Sequence, residues 1–405
     1  MKGQLIQRSE GSWSIVLYLG RDPVTGKKKK KWHTYRGSKK GAEKELTRLV
    51  HEINTGAYIE PAKLTLGEYL ERWLADYAKV NVAGKTFERY SEIVNKHLIP
   101  ALGSVLLCNL KPLHIQAYYS QALQTGRTRR GKETEPRGLS AQTVLHHHRI
   151  LREALHRAVK WQLLFRSPAD AVEPPKPPRR EMRALNEAET AWLLEVAQGT
   201  RFYLPVLLAV TSGMRRGEFL AVRWSDVDLQ SGTASIKRSI EQTNKGIRFK
   251  SPKARKGRPI ALLPIMVDAL KEHRHVQSQQ KKLAGAAYQE EDLICAREDG
   301  AIWKPDSFTA DFARLAKKAG MKGVRLHDLR HSHATQLLIA GVHPKVVSER
   351  LGHSTVGITL DIYSHVLPGL QEDAAKKLDI ALRSAIEKRQ ASARSRGGSS
   401  KGAAN

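Results

Sequence analysis

Two cysteines, Cys108 and Cys295, are all that the 405 residues hold, and they stand far apart. A disulfide framework is thereby excluded. Both thiols are expected to be free and buried in apolar surroundings, in a reducing compartment. No apolar run reaches the length that spans a bilayer, and residues 1–10 contain no apolar signal core, so neither a membrane protein nor a secreted one is expected. There is no Gly-x-x-x-x-Gly-Lys-Ser/Thr phosphate loop, no His-Glu-x-x-His and no evident acidic cluster of the kind that holds two Mg²⁺ ions. No repeat period is evident. Acidic residues are scarce beside basic ones, 40 against 69, which leaves a formal charge of +29. Such an excess calls for a polyanionic partner. The basic residues are not confined to one amphipathic helix, so nucleic acid is favoured over an anionic membrane surface.

The length allows two to three domains with real cores. Residues 1–58 read as a small module: strands at 4–8, 13–19 and 30–35, turn chemistry at 22–26, and a helix over 39–54 ending near Gly56. The lysine run 27–31, with Trp32 and Tyr35 beside it, has two readings. It is a solvated, aggregation-resistant strand edge, or a sheet laid on DNA with Lys28 and Lys30 on phosphates and Trp32 beside them. Residues 63–168 read as a helical module. Thr65 caps its first helix, a second spans 85–98 and is closed by Pro100 and Gly103, a third spans 113–123, and Ser140 caps a fourth. That last helix turns Val144, His148, Leu151, Leu155 and Val159 inward and carries Arg149, Arg152 and Arg157 on its other faces, a cationic side suited to phosphates. Of His146, His147 and His148, one is expected at the core edge and the others at the surface. Prolines from Pro174 to Pro178 make residues 169–181 a semi-rigid linker. A third module spans 182–390: Asn186 caps a helix, a second apolar helix follows, and an antiparallel sheet is expected from strands at 233–241, 247–250 and 259–263. Residues 371–388 read as an amphipathic helix with Leu378, Ala381, Leu382 and Ile386 on one stripe, and 391–405 as a basic disordered tail.

The densest chemistry lies between His327 and Tyr363. His327 and Arg330 stand three apart, on one face of a helix. Leu351-Gly352-His353 and then Tyr363 follow. These groups could hold a phosphate anion and attack it. Gly341 and Gly352 read as helix stops. Upstream, Ser212-Gly213-Met214-Arg215-Arg216-Gly217-Glu218 enters another helix. A metal cluster of His327, His331 and His333 is the weaker alternative, since Arg330 between them repels a cation. Tyr363 as a plain core aromatic is opposed by its polar neighbours Asp361, Ser364 and His365.

In order and spacing this series resembles the tyrosine recombinase (phage integrase) family, with His-x-x-Arg, Leu-Gly-His and a nucleophilic tyrosine. The segment around Arg215 resembles the family's first arginine motif, with Ser212 where threonine is usual. The resemblance implies a multidomain, mainly helical chain with small sheets. The parts would be an AP2-like arm-binding module, a SAM-like core-binding module and an α+β catalytic domain. It implies catalytic roles for Arg215, His327, Arg330 and His353, with Tyr363 as nucleophile and Glu218 bracing the site. Lys253 matches the family's β-hairpin lysine, although Ala254 replaces the usual threonine and Lys250 and Lys256 compete for the role. The two arginines would hold the non-bridging oxygens, His327 would act as acid/base group, and Lys253 would protonate the departing 5′ oxygen. The implied product is a 3′-phosphotyrosyl link, which conserves the bond energy without metal, ATP or other cofactor.

Integration and excision of a phage or mobile element is the activity implied, on core and arm sites in double-stranded DNA. A homotetramer would act in the bacterial cytoplasm, at the nucleoid, with DNA-bending and excision accessory proteins. A chromosome or plasmid dimer resolvase of the same family and a non-catalytic DNA-binding regulator are the alternatives. The N-terminal module argues against the first, and the complete residue set against the second.

Overall fold

The computed structural model describes residues 3–21, 26–54, 63–127, 137–178, 182–252, 257–363 and 370–397. The chain divides into two compact units, Met1–Arg179 and Arg180–Asn405. In the first, strands β1 (Gly3–Ser9), β2 (Ser12–Arg21) and β3 (Lys28–Arg36) form an antiparallel sheet in that order. Ile15 and Leu17 of β2 share one face of the sheet and pack with Leu49 of the helix Lys39–Asn54, and Val16 between them is buried as well. Strand register places Val16 opposite Trp32 and Tyr18 opposite Lys30. Arg8 lies over the Trp32 ring at 5.3 Å and Lys30 over the Tyr18 ring at 5.5 Å. Residues 22–25 of the turn expected at 22–26, and the glycine stop at position 56, lie outside the described residues.

The helical module follows the expected four helices, with differences that have local causes. Thr65 and Glu68 form a capping box at the first helix. The second runs on through Pro100 to Leu102, because the π-helical stretch Val94–Leu98 precedes Pro100 and lets a residue without an N–H start the last turn. The third spans Pro112–Thr125 and the fourth Ala141–Lys160. Two histidines of the trio are buried, not one. His147 Nδ1 shares a hydrogen bond with the Tyr118 hydroxyl at 2.7 Å, and His148 Nδ1 with that of Tyr119 at 2.8 Å. Adjacent residues on each helix thus make two rungs, in which each phenol pairs with one ring nitrogen of an imidazole that would otherwise be costly inside, while His147 Nε2 stays buried without a hydrogen-bond partner among the described residues. The turn Pro168–Ala171 buries Ala169 in this module's core, so the first part of the expected linker belongs to the bundle. Cys108 is exposed, against expectation. Cys295 is buried, and burial pushes its thiol up to about 12.

The second unit opens with the helix Glu187–Ala197, capped by the reciprocal Asn186/Glu189 box, and the apolar helix Tyr203–Ser212. The expected single sheet is two. Strands β4 (Val227–Asp228), β5 (Thr233–Ile236) and β8 (Arg258–Ala261) form one, and β6 (Ser239–Thr243) and β7 (Gly246–Lys250) the other. The break falls at Lys237 and Arg238, both drawn to the buried carboxylate of Asp226 at 3.2 and 2.6 Å. Helices Pro264–Ala284, Pro305–Lys318, Leu326–Ile339, Pro344–Leu351 and Val356–Tyr363 complete the core. Gly341 and Gly352 end their helices at φ +79° and +67°. The helix Leu370–Gly397 extends past residue 391, where a disordered tail was expected, and exposes Leu378, Leu382 and Ile386. Among the described residues no helix is long and apolar enough to cross a membrane.

Candidate active site

The site is assembled around the end of the helix Pro344–Leu351. A helix C-terminus leaves carbonyls without intrahelical donors and attracts cations. Here three arginines from three distant segments take three successive carbonyls. Arg258 Nε donates to Arg350 O at 2.9 Å, Arg330 Nη2 to Leu351 O at 2.6 Å, and Arg215 Nη2 to Gly352 O at 3.1 Å. Arg330 also donates through Nη1 to Gly213 O at 2.6 Å. The Gly213 turn is itself crowded, since a Cβ there would lie 2.6 Å from the His333 ring.

Glu218 holds the arginines together. Its fully buried carboxylate accepts from Arg215 Nη1 at 2.9 Å and from Arg258 Nη2 at 2.7 Å, and it receives the Arg215 backbone N–H at 3.0 Å. Burial works to raise its pKa, but the bonds and charges of Arg258, followed by those of Arg215, outweigh that and leave it below the ordinary carboxylate range. Arg330 is 3% exposed, and burial, then the neighbouring Arg215, lowers it to about 9, so it stays charged at neutral pH.

Gly352 lets the chain turn through the left-handed region and brings His353 back beside the arginines. Its α-carbon also packs on Arg258, whose Nη1 would lie 2.7 Å from any added Cβ. His353 Nδ1 shares a hydrogen bond with the Thr359 hydroxyl at 2.9 Å, which leaves Nε2 for a ligand. Burial, then Arg330 and Arg215, holds His353 down to about 4, so its ring is neutral at neutral pH. His327 is exposed at the start of the helix Leu326–Ile339. Burial of its ring atoms and the charge of Arg330 lower its pKa.

Tyr363 ends the helix Val356–Tyr363 and is 2% exposed, packed with Ala334, Leu338, Val347 and Leu351. Burial pushes its phenol up to about 12, against the pull of Arg330. Its hydroxyl is hydrogen-bonded at 2.7 Å to His331 Nδ1, not to His327. His333 is fully engaged elsewhere. Arg350 Nε donates to its Nε2 at 3.0 Å, which leaves Nδ1 to donate to Val210 O at 2.9 Å.

Five of the six expected catalytic side chains, Arg215, His327, Arg330, His353 and Tyr363, therefore meet in one place. Lys253 and Lys256 lie outside the described residues. Lys250 is ion-paired with Glu241, which also holds Arg248. The connection expected as a hairpin turn joins β7 and β8, which sit in different sheets. The sequence reading missed two members of the site. Arg258 follows a glycine and opens a strand, and only its distant partners mark it. His331 was weighed only as a metal ligand, although its spacing from His327 puts both on one face.

Of the residues expected on DNA, Arg149 is exposed. Arg152 is tied to Asp170 at 2.7 Å, and Arg157 lies over the Tyr77 ring at 3.8 Å. Lys30 and the half-exposed Trp32 stand on the sheet as described above. Lys28 pairs with Arg21 through the backbone, and its side chain lies outside the described residues.

Paired guanidinium groups, neutral imidazoles and a phenol within their field are the equipment of an enzyme that transfers a phosphoryl group through a covalent tyrosine. The phage integrase family model matches residues 179–369, and that family's N-terminal SAM-like domain matches residues 65–123. A tyrosine recombinase described as XerC-like, from Caldanaerobacter subterraneus subsp. tengcongensis, is 27% identical over 93% of this chain and 98% of its own length. The fold is similar to that of the Tn1549 transposon integrase in complex with a circular intermediate DNA. The TM-score is 0.65 at 18% identity, over 78% of this chain and 99% of that one. It is similar also to lambda integrase, solved as a tetramer bound to a Holliday junction, with a TM-score of 0.53 at 19% identity over 89% of this chain and 94% of that one. The chain belongs to the phage integrase family of tyrosine recombinases, and it is a site-specific DNA recombinase.

Proposed function

We propose that this recombinase integrates and excises a phage or other mobile element through a 3′-phosphotyrosyl intermediate. The observation that carries the reading is the placement of Arg215 and Arg330 on the consecutive carbonyls of Gly352 and Leu351, beside His353, with Arg330 close enough to Tyr363 to act on its phenol. A scissile phosphate entering there takes over guanidinium donors, and its developing charge is met by groups already in position. His353 donates from Nε2. His327 serves as an exposed acid/base group, and Lys253 is the general acid for the departing 5′ oxygen. Tyr363 attacks phosphorus. The Oη–P bond forms as the P–O5′ bond breaks, and the 5′-hydroxyl of another strand reverses the step. No cofactor enters this scheme.

The N-terminal sheet, with Lys30 and Trp32 on it, serves as an arm-site module, and the helical module with Arg149 contacts core-site phosphates. Four copies assemble on paired sites in the bacterial cytoplasm, aided by DNA-bending and excision proteins. The likeness to a transposon integrase and to a lambda integrase tetramer supports this reading. Resolution of chromosome or plasmid dimers is the other reading within the family. A plasmid pair carrying flanking repeats of the element, recombined in cells, separates the two.

Incubation with a nicked duplex core site tests the chemistry. The unsubstituted protein is expected to become trapped covalently. Tyr363→Phe is expected to bind the duplex equally and trap none. Equal trapping by the variant rejects Tyr363 as nucleophile.

A further inference from the structure

The phenol of Tyr363 has a base at hydrogen-bond distance that the family motif does not name. His331 Nδ1 lies 2.7 Å from the hydroxyl, within the reach required of a general base. Both residues are buried, at 6% and 2% exposure, so no water competes for the bond. The His331 ring meets His327 edge-on, with centroids 4.8 Å apart at 83°. Among the described residues no hydrogen bond joins His327 to Tyr363. His327 is exposed, whereas His331 is enclosed with the nucleophile.

We propose that His331 is the general base of the cleavage step, accepting the Tyr363 phenolic proton at Nδ1 as Oη attacks the scissile phosphorus. This rests on the reading of Tyr363 as nucleophile. The imidazole is neutral with its proton on Nε2, so that Nδ1 accepts from the O–H. In the step the Oη–P bond forms and the P–O5′ bond breaks. The phenolic proton passes to Nδ1, and the leaving 5′ oxygen keeps the bonding pair and takes a proton from the general acid. Religation returns both protons. His327 is then left to donate to phosphate oxygens.

The surroundings make this base dependent on substrate. Burial first, then His327, Arg330 and Arg325, hold His331 down to about 4, with Asp328 alone opposing them. His353, which interacts with it across the site, carries no charge to help. An imidazolium is therefore disfavoured by the protein's own groups. A phosphodiester between Arg215 and Arg330 adds negative charge nearby, and more as the transition state develops, which makes the ring a stronger base when it is needed.

The test uses the full chain in single-turnover cleavage of a nicked duplex with either oxygen or sulfur at the 5′ leaving position. Sulfur departs without a proton, so it rescues the loss of a general acid but not of a base. His331→Gln is expected to bind the duplex normally and to form the covalent complex about 100-fold more slowly on both substrates. Rates within about threefold of the unsubstituted protein, or rescue by sulfur, overturn the proposal. Covalent product from Tyr363→Phe would instead overturn the nucleophile on which it rests. If His331→Gln does not fold, the unsubstituted protein on the sulfur substrate decides the matter. Its rate is expected to fall tenfold per pH unit, in about the acidic range where an imidazole takes up a proton, and a rate flat from about pH 5 to about pH 9 overturns the proposal.

Discussion

Replacing Glu218 by glutamine removes one charge and almost no volume, at a point where three segments are joined. The carboxylate has no exposed side-chain surface, and Arg258 beside it is only 11% exposed. Without Glu218, Arg258 faces Arg215 and the buried Arg330 with no anion among them. Breaking a buried pair by removing one partner costs about 3–5 kcal/mol. For a unit of this size, where 1 kcal/mol moves the midpoint by about 2–4 °C, Glu218→Gln is expected to lower Tm of the catalytic unit by roughly 6–20 °C. Calorimetry of both proteins from neutral to acid pH is the assay. The sign follows from the depressed pKa. The native state holds the proton less tightly than the unfolded chain, whose carboxyl titrates near 4.5. The contribution of Glu218 is therefore complete above that value and is lost as pH falls through its folded pKa. The gap between the two melting curves should close in acid. A gap below about 2 °C at neutral pH, or one that stays constant into acid, refutes the claim that this carboxylate neutralises the arginines.

Two further outcomes are expected. Gly352→Ala forces a left-handed residue against the Arg258 guanidinium and is expected to cost about 1–2 kcal/mol in a denaturant melt, with slower cleavage; an unchanged midpoint would refute the strain assigned to this turn. Arg149→Gln is expected to weaken core-site binding on every sequence alike and to reduce the slope of log affinity against log salt by about 0.9, and an unaltered slope removes Arg149 from the phosphate contacts.

The features legible in the sequence were those written locally. Thr65 and Asn186 act as caps because each has a glutamate three residues on. The helix stops at Gly341 and Gly352 follow from the one residue that tolerates positive φ without cost. Arg215, His327, Arg330, His353 and Tyr363 could be read because their order and spacing are fixed by a shared fold. What escaped depends on contacts between distant positions. Arg258 reaches a carbonyl 92 residues away, and nothing in its neighbourhood announces that. The division of the expected sheet follows from Asp226, which sits more than ten residues before the point where it bends the chain. His148 was legible as inward-facing from its helical spacing, but burial of His147 beside it depends on Tyr118 of the facing helix, which takes its Nδ1.

The arginines at the end of the helix Pro344–Leu351 are not idle when no duplex is bound. A guanidinium carries five N–H donors, and the bonds to Glu218 and the carbonyls take two of them on Arg215 and two on Arg330. Acceptors tethered in the chain thus set the planes of both groups and leave further N–H donors beside them. An arriving phosphate does not have to freeze two long side chains, and the entropy of ordering them falls on folding and not on binding.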